Sequence, residues 1–394
     1  MNFAIVKYII ASALAIGAVS LFFVFSDKEF VSYVAYSRPF EVKSLLDKSD
    51  KNEYQVFNVP EKKVTHLKTP EPVRAIYMTS WVAGDRDWRQ HLVNFIESSE
   101  VNALVIDVKD STGRVSFKTT DPYIWAMGSS QNRILDIKDF IRTLHKKNIY
   151  TIARISVFQD PYFVSKRPDL AVKTKSGAVW NDRKGLPWID PAAKEFWDYI
   201  VLIAKEAEKV GFDELNFDYI RFPSDGDMFD IAYDHWDEET PPAEVIRDFS
   251  RYLRVNLDEI GIPLSIDLFG LVTLHTGDLN IGQILEYVEP YFDYLSPMVY
   301  PSHYPVGFRG YQNPALHPYE IIYEAMTVAS RRLLAASSTP SKLRPWIQDF
   351  DLGAIYDAGM IRKEKQAIYD AGLTSWMAWN AANRYTQEAY GKVE

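Results

Sequence analysis

The sequence predicts a (β/α)8 barrel, the TIM-barrel fold, preceded by an N-terminal transmembrane helix and a linker. Three observations carry this prediction. A short apolar strand, a polar or Gly/Pro-containing loop and a helix recur eight times after Val73. Several of these strands are continuous apolar runs, as in parallel strands that are covered on both faces. The stretch from Tyr8 to Phe25 is an uninterrupted run of apolar and small residues and, at about 1.5 Å per residue, roughly as long as a bilayer core is thick.

Composition narrows the classes of function. With 394 residues, 47% of them hydrophobic, the chain can build one barrel with additional segments. The absence of cysteine excludes disulfides, zinc–thiolate sites and cysteine nucleophiles. A net charge of −9 without a basic cluster argues against nucleic acid as a partner, and it fits a neutral substrate better than a polyanionic one. The acidic stretch 225–239 does not have EF-hand spacing, so we predict no metal and no cofactor.

The N-terminal segment, residues 1–29, is predicted to be a membrane anchor or a signal segment. Its apolar run ends in the bulky residues 21–25, whereas a cleavage site needs small residues, so an uncleaved anchor is favoured. Lys7 on the short side favours a cytoplasmic N-terminus and a barrel outside the cytoplasm. Cleavage would instead give a secreted protein. Residues 30–72, with four prolines and many charges, are predicted to be a linker, and residues 73–394 the barrel domain.

The strands are predicted at Val73–Trp81, Ala103–Asp110, Tyr150–Phe158, Glu214–Phe222, Pro263–Gly270, Tyr294–Tyr300, Leu343–Phe350 and Ser375–Asn380. The alternative is an open doubly wound sheet. That fold would normally carry a glycine-rich phosphate loop after its first strand, which Ser80-Trp81-Val82 does not resemble.

The helices between the strands show amphipathic spacing and end signals. Apolar residues from Phe196 to Val210 recur at the helical period. Asp190 before Pro191 predicts a helix N-cap, and Gly211 predicts the end of that helix. Thr240-Pro241 and Gly261 bracket a second helix in the same way.

Acidic residues on strands four and five are the candidate catalytic pair, because such barrels build their active site at the C-terminal ends of the strands. Asn216 and Asp218 share one face of strand four, and Ser265 and Asp267 share one face of strand five. Since neighbouring strands lie about 4.8 Å apart, we expect Asp218 and Asp267 to meet over the barrel opening. Glycosyl transfer requires such a pair, one carboxylate at the anomeric carbon and one protonated carboxyl at the leaving oxygen.

Other residues near strand ends are candidates for binding sugar hydroxyls or for tuning the two carboxyl groups. They are Asp107, Lys109, Arg154, Arg221, Tyr300, Gln348, Asp349 and Trp379. Arg221 beside Asp218 would keep that carboxyl ionised. Structural roles remain open. Asp218 could serve merely as an ion-pair partner of Arg221, and Asp107 and Asp110 could form a charge cluster with Lys109. Asp267 could cap the loop before Gly270, Arg154 could be a structural arginine at the bottom of the barrel, and the aromatic residues could be packing residues.

Eight segments in fixed order resemble a bacterial family of glycoside hydrolases, long a domain of unknown function, that is similar to the alpha-amylase-like barrels. The segments are VRAIYMTSW, ALVIDVKD, ARISVFQDP, WIDP, NFDYIRFP, SIDLFG, LSPMVYPSHY and SWMAWNA, and the resemblance covers Val73 to Tyr385. It implies that Asp218 matches the nucleophile of those barrels. Their acid/base is a glutamate on strand five, where this chain has Asp267. Their arginine two residues before the nucleophile is replaced by Asn216, and their His-Asp pair after strand seven by Gln348-Asp349.

The expected function is hydrolysis of a glycosidic bond in a cell-envelope or extracellular polysaccharide or oligosaccharide, with the membrane as a second partner through the N-terminal helix. A non-catalytic glycan-binding barrel remains open because strand five lacks the glutamate. Hydrolysis of an amide or ester on the same fold is a third possibility, although the chain has no nucleophile elbow or His-rich metal motif.

Overall fold

The computed structural model describes residues 64–391. The predicted membrane segment and most of the predicted linker lie outside these residues. Within them, no helix combines the length and apolar character that crossing a bilayer requires.

Eight parallel strands close into a barrel in which each strand pairs with its neighbours in chain order, the last with the first. The strands are β1 Arg74–Met78, β2 Ala103–Lys109, β3 Tyr150–Ser156, β4 Glu214–Asp218, β5 Leu264–Phe269, β6 Tyr294–Met298, β7 Trp346–Gln348 and β8 Trp376–Trp379. Every one lies inside its predicted range, so the predicted barrel is confirmed. A separate two-residue antiparallel pair joins Lys173–Thr174 to Ile231–Ala232 on the loops above the barrel.

The α-helices between the strands cover the outside of the barrel. They are α1 Ser80–Gly84, α2 Arg86–Ser98, α3 Pro122–Met127, α4 Ile137–Lys146, α5 Pro161–Lys166, α6 Lys194–Val210, α7 Pro242–Leu257, α8 Leu285–Val288, α9 Pro318–Ala335 and α10 Ala358–Asp370. The apolar stripe of α6 is buried as its spacing predicts, and Gly211 ends this helix in the left-handed conformation.

Two local predictions were wrong at element ends. The first strand stops at Met78, because Thr79 accepts a hydrogen bond from the backbone N–H of Val82 and starts α1. Asp190 does not cap α6, which begins at Lys194. Its carboxylate instead accepts hydrogen bonds from the backbone N–H groups of Ala192, at 2.9 Å, and His235, at 2.8 Å. It therefore ties the loop after β3 to the loop after β4.

The floor of the barrel is closed by a buried ion pair. Glu214 of β4 accepts two hydrogen bonds from Arg344 at 2.8 and 2.9 Å, and a third from Ser265 at 2.7 Å. Residues 64–72, which we assigned to the linker, contact this end of the barrel. The backbone N–H of Leu67 donates to Asp213 at 2.7 Å. The predicted domain boundary at Val73 stays a prediction.

Candidate active site

The pairing of β4 with β5 brings Asp218 and Asp267 to the same height. Asn216 pairs with Ser265 and Phe217 with Ile266, so the next residues along the two strands are Asp218 and, in β5, Asp267. The Nδ2 of Asn216 donates to Ser265 at 3.2 Å and to Asp267 at 2.9 Å. These contacts show that the side chains point into the barrel as the alternation predicts.

Arg154 of β3 holds three carboxyl groups around one guanidinium. Nη1 donates to Asp107 at 2.7 Å, Nη2 donates to Asp218, and Nε lies 3.9 Å from Oδ2 of Asp267. Burial works against the positive charge of Arg154, but Asp218 and Asp107 outweigh it, and the pKa of Arg154 is raised well above its usual value. The guanidinium therefore stays charged, and it holds the carboxyl group of Asp218 in place by a hydrogen bond.

The environment of Asp267 differs from that of Asp218. Its side chain is 1% exposed, and burial, together with repulsion from Asp218, raises its pKa well above the usual aspartate value. Its Oδ1 accepts hydrogen bonds from Nε1 of Trp346 at 2.7 Å and from Nδ2 of Asn216. Since both donors occupy Oδ1, the proton of the neutral carboxyl belongs on Oδ2. The two adjacent carboxyl groups thus lie in different environments: Asp218 contacts a charged guanidinium, whereas Asp267 is buried and has a raised pKa. Acid and nucleophile roles require such a difference in environment.

The backbone directly after Asp218 adopts an unusual conformation. Tyr219 has a φ of 54°, which non-glycine residues adopt rarely, and its N–H donates to Oδ1 of Asp218 at 2.6 Å. Strained backbone of this kind is concentrated at functional sites. With Arg154 on Oδ2 and this N–H on Oδ1, the carboxylate of Asp218 is fixed in one orientation.

Aromatic side chains surround the charged group. The ring of Tyr77 stacks on Trp379 with centroids 3.9 Å apart, and its hydroxyl donates to Asp107. The guanidinium of Arg154 lies 5.0 Å from the centroid of Trp379. Burial is the largest cause of a raised pKa of Tyr77, so this hydroxyl keeps its proton. Burial also raises the pKa of Asp107, whose two oxygens accept hydrogen bonds from Tyr77 and Arg154.

A cavity of about 420 Å³ opens above the carboxyl groups, a volume within the usual range of ligand pockets. Its wall includes Asp218, Asp267, Tyr300 and Trp379. A second cavity of about 550 Å³ shares Tyr300 and Trp379 with the first and continues past Phe350 and Asp351. The two cavities adjoin at these shared residues, and we refer to them together as the cleft. Its aromatic surfaces suit the packing of sugar faces on flat rings.

Seven of the ten candidate residues lie at this cleft or directly beneath it. They are Asp107, Arg154, Asp218, Arg221, Asp267, Tyr300 and Trp379. Arg221 makes no ion pair with Asp218 within the described residues. The contact with Asp218 that we predicted for Arg221 comes instead from Arg154 on β3.

Three candidates lie elsewhere. A register shift in β2 turns Lys109 toward the helices, where it is fully buried and pairs with Asp160 at 3.0 Å. Gln348 accepts a hydrogen bond from Ser302 at 2.8 Å and positions the loop after β6. Asp349 accepts from Thr386 and Tyr390, both at 2.8 Å, and anchors the C-terminal segment. None of the three is among the residues that line the two cavities, so direct contact with a sugar at this cleft is not expected of them.

Sequence reasoning missed Trp346 and Tyr77, which contact Asp267 and Asp107 directly. Both lie on predicted strands at positions that alternation turns inward. That signal was present, but apolar aromatic residues on a strand are usually core, and only the three-dimensional arrangement reveals the atom that each one reaches.

The fold and the site define a (β/α)8 barrel with a carboxylate pair of the kind that glycoside hydrolases use. The chain belongs to the family described as "Putative glycosyl hydrolase domain", which matches residues 75–385. Among solved structures, a hypothetical protein from Ruminiclostridium thermocellum is 37% identical, with 49% of this chain and 96% of that one covered and a TM-score of 0.45.

More distant solved structures share the fold. The glycoside hydrolase domain of PgaB (BpsB) from Bordetella bronchiseptica is 12% identical, covers 82% of this chain and 100% of its own, and has a TM-score of 0.57. Alpha-L-fucosidase isoenzyme 2 from Paenibacillus thiaminolyticus is 11% identical and has a TM-score of 0.54. The match covers 78% of this chain and 46% of that enzyme. No curated protein matches the chain.

Proposed function

We propose that this protein is a glycoside hydrolase that cleaves a cell-envelope or extracellular polysaccharide, with Asp218 as nucleophile or general base and Asp267 as general acid. The observation that carries the proposal is that two adjacent carboxyl groups lie in different environments. Asp218 contacts a charged guanidinium, whereas the pKa of Asp267 is raised by burial and by Asp218 itself. Family membership supports the same class of reaction.

The reaction begins with proton donation from Oδ2 of Asp267 to the glycosidic oxygen, which leaves with the bonding electron pair. The positively charged anomeric centre that develops is met by Asp218, which either forms a bond to it or removes a proton from an attacking water. In the first case a water then displaces Asp218 with help from the deprotonated Asp267. In that case Asp267 takes the proton of the water and is restored. In the second case the proton of the water is left on Asp218, which releases it to solvent, and Asp267 takes a proton from solvent. One water is consumed in either case.

The arrangement around Arg154 suits this transition state. Asp107 and Asp218 accept hydrogen bonds from its guanidinium, and Oδ2 of Asp267 lies 3.9 Å from its Nε. Carboxyl groups that are oriented before the reaction starts can stabilise an oxocarbenium-like centre without reorganising. The arginine that the alpha-amylase-like pattern has on strand four is supplied here by Arg154 on β3.

Aspartate in place of glutamate on β5 is compatible with proton donation. Asp267 is one methylene shorter, but its strand pairs directly with β4, and Trp346 and Asn216 fix its carboxyl group. The cleft past Trp379 has room for sugar residues beyond the bond that is cleaved, which favours a polymer over a single glycoside.

A binding-only barrel is the competing function, and one experiment separates the two. Wild-type protein is incubated with a panel of envelope and extracellular polysaccharides, and both retention on the immobilised polymer and release of reducing ends are measured. The hydrolase proposal expects reducing ends from at least one polymer. Retention on a polymer whose chain length never changes supports the binding barrel instead.

The predicted membrane anchor rests on the sequence alone. We propose that the run from Tyr8 to Phe25 holds the barrel outside the cytoplasm, where such polysaccharides are found. Protease treatment of intact cells should degrade the barrel domain while it remains in the membrane fraction. Recovery in the soluble cytoplasmic fraction would contradict this placement.

A further inference from the structure

Arg221 is a buried cation in the wall of the catalytic cavity. It follows β4 by three residues, lines the same cavity as Asp218 and Asp267, and is 9% exposed. The reaction described above gives it no task. A buried charge without a partner is costly, so its presence requires either a structural or a ligand-based explanation.

Aromatic rings fix the position of this guanidinium. Its central carbon lies 4.6 Å from the ring centroid of Trp188, 5.0 Å from that of Phe269 and 5.4 Å from that of Tyr219. Contacts with ring faces hold a planar guanidinium without using the N–H groups along its edge. The edge is therefore free to donate hydrogen bonds in the plane.

Most of that edge has no protein partner. Nη1 donates to the carbonyl oxygen of Phe222 and to Oγ of Ser224, both at 3.1 Å. Among residues 64–391, neither Nε nor Nη2 of Arg221 makes a hydrogen bond, and no carboxylate forms an ion pair with it. Burial lowers the pKa of Arg221, as expected for a cation without a direct counter-ion.

Three carboxylates act on the charge of Arg221, those of Asp218, Asp225 and Asp182, but among residues 64–391 none of them forms an ion pair with it. Asp182 accepts four hydrogen bonds: from Gln159 at 3.0 Å, from Nε1 of Trp188 at 3.1 Å, and from the backbone N–H groups of Lys184 and Leu186, both at 2.9 Å. Asp218 contacts Arg154 and the N–H of Tyr219. A structural ion pair therefore does not explain Arg221.

We propose that the substrate sugar carries a carboxylate, as in a uronic acid, and that Nε and Nη2 of Arg221 bind it in a bidentate contact. An arginine edge matches the two oxygens of a carboxylate. Lys184, which is exposed on the wall of the same cavity, adds a second positive charge. This inference rests on the proposed function. It replaces our expectation of a neutral substrate, which was based on the net charge of the whole chain, because the local charge at the cavity decides binding.

The test uses acidic polysaccharides in pairs with their carboxyl-reduced forms, in which each uronic acid has become the neutral sugar. Affinity gel electrophoresis measures binding and release of reducing ends measures turnover. Phosphate- and sulfate-substituted neutral polymers form a third arm. We expect an acidic polymer to be bound and cleaved about 10- to 100-fold better than its reduced form, the range for a lost hydrogen bond to a charged group.

Variants assign this preference to residues. Arg221→Gln should remove the preference for the acidic polymer by raising KM, while Arg221→Lys should retain part of it. Lys184→Gln should weaken it slightly. Arg183→Gln is the matched control, because Arg183 is the exposed neighbour of Lys184 and does not line the cavity. Melting temperatures confirm that each variant is folded.

The outcomes are distinct. Binding of an acidic polymer without cleavage, lost in Arg221→Gln, supports the inference and contradicts the hydrolase proposal. Equal binding and cleavage of acidic and reduced forms overturns the inference and leaves the hydrolase proposal standing. Binding to none of the acidic polymers, a preference for phosphate or sulfate esters, or an unchanged preference in Arg221→Gln also overturns it.

Discussion

Trp346 and Asp267 are joined by a 2.7 Å hydrogen bond from the indole Nε1 to Oδ1. Together with the donor from Asn216, this bond reserves Oδ1 for accepting and leaves Oδ2 to carry a proton. The orientation of the general acid therefore depends on an aromatic residue two strands away along the barrel. The proposed acid role of Asp267 can therefore be tested by substituting Trp346, which leaves the carboxyl group itself unchanged.

Asp267→Asn should lose activity in proportion to how much the leaving group needs a proton. Cleavage of the natural glycosidic bond should fall about 10²- to 10⁴-fold. An aryl glycoside of the same sugar with an acidic phenol as leaving group should lose far less, because that phenolate leaves unprotonated. Rates on both substrates measure the difference. Asp234→Asn, an exposed aspartate remote from the cleft, is the control and should behave as wild type. An equal loss on both substrates would refute the acid role.

Trp346→Phe should move the alkaline limb of the pH–rate profile to higher pH. The indole hydrogen bond stabilises the ionised form of Asp267 and so lowers its pKa, although burial and Asp218 raise it more. Without the donor, the pKa rises further, and Asp267 remains protonated at higher pH. The measurement is kcat/KM against pH. Trp376→Phe is the matched control, since its Nε1 donates to Tyr369 outside the barrel. A limb that moves to lower pH, or moves equally in both variants, would contradict the assignment.

Asp267→Asn should also make the protein more stable at neutral pH. The folded-state pKa of Asp267 is raised by burial, so the unfolded chain holds fewer protons between the unfolded and folded pKa values, and stability falls as pH rises through that window. Asparagine cannot ionise and escapes this penalty. The gain, on the order of 1–2 kcal/mol, should be present at pH 7 and disappear at about pH 3, where aspartate is largely protonated in both states. Chemical denaturation at the two pH values tests this, and a loss of stability at pH 7 would refute it.

Arg344→Gln should destabilise the barrel without changing the chemistry. It leaves Glu214, which is completely buried, with only its neutral partners, and breaking a buried pair in this way costs about 3–5 kcal/mol. The double variant Arg344→Gln with Glu214→Gln should recover most of that loss. Urea denaturation measures both. If the double variant is no more stable than the single one, the pair does not close the floor as described.

The sequence predicted the barrel better than it predicted the site. Continuous apolar strands and alternating faces were enough to bring Asp218 and Asp267 together, because strand order and register follow from the fold. Lys109 was misplaced by one register shift in β2, which a period of two residues cannot reveal. Arg154 and Arg221 exchanged expected roles, since proximity in sequence suggested Arg221 while the neighbouring strand supplies the contact to Asp218.

The measurement that tests the central claim most directly is the release of reducing ends from polysaccharides by wild type, Asp218→Asn, Asp267→Asn and the control Asp234→Asn, all verified as folded. We predict that wild type and Asp234→Asn release reducing ends from the same polymer at equal rates, and that Asp218→Asn and Asp267→Asn fall at least ~100-fold below them. Release at the wild-type rate by either cleft variant would contradict catalysis by the Asp218–Asp267 pair.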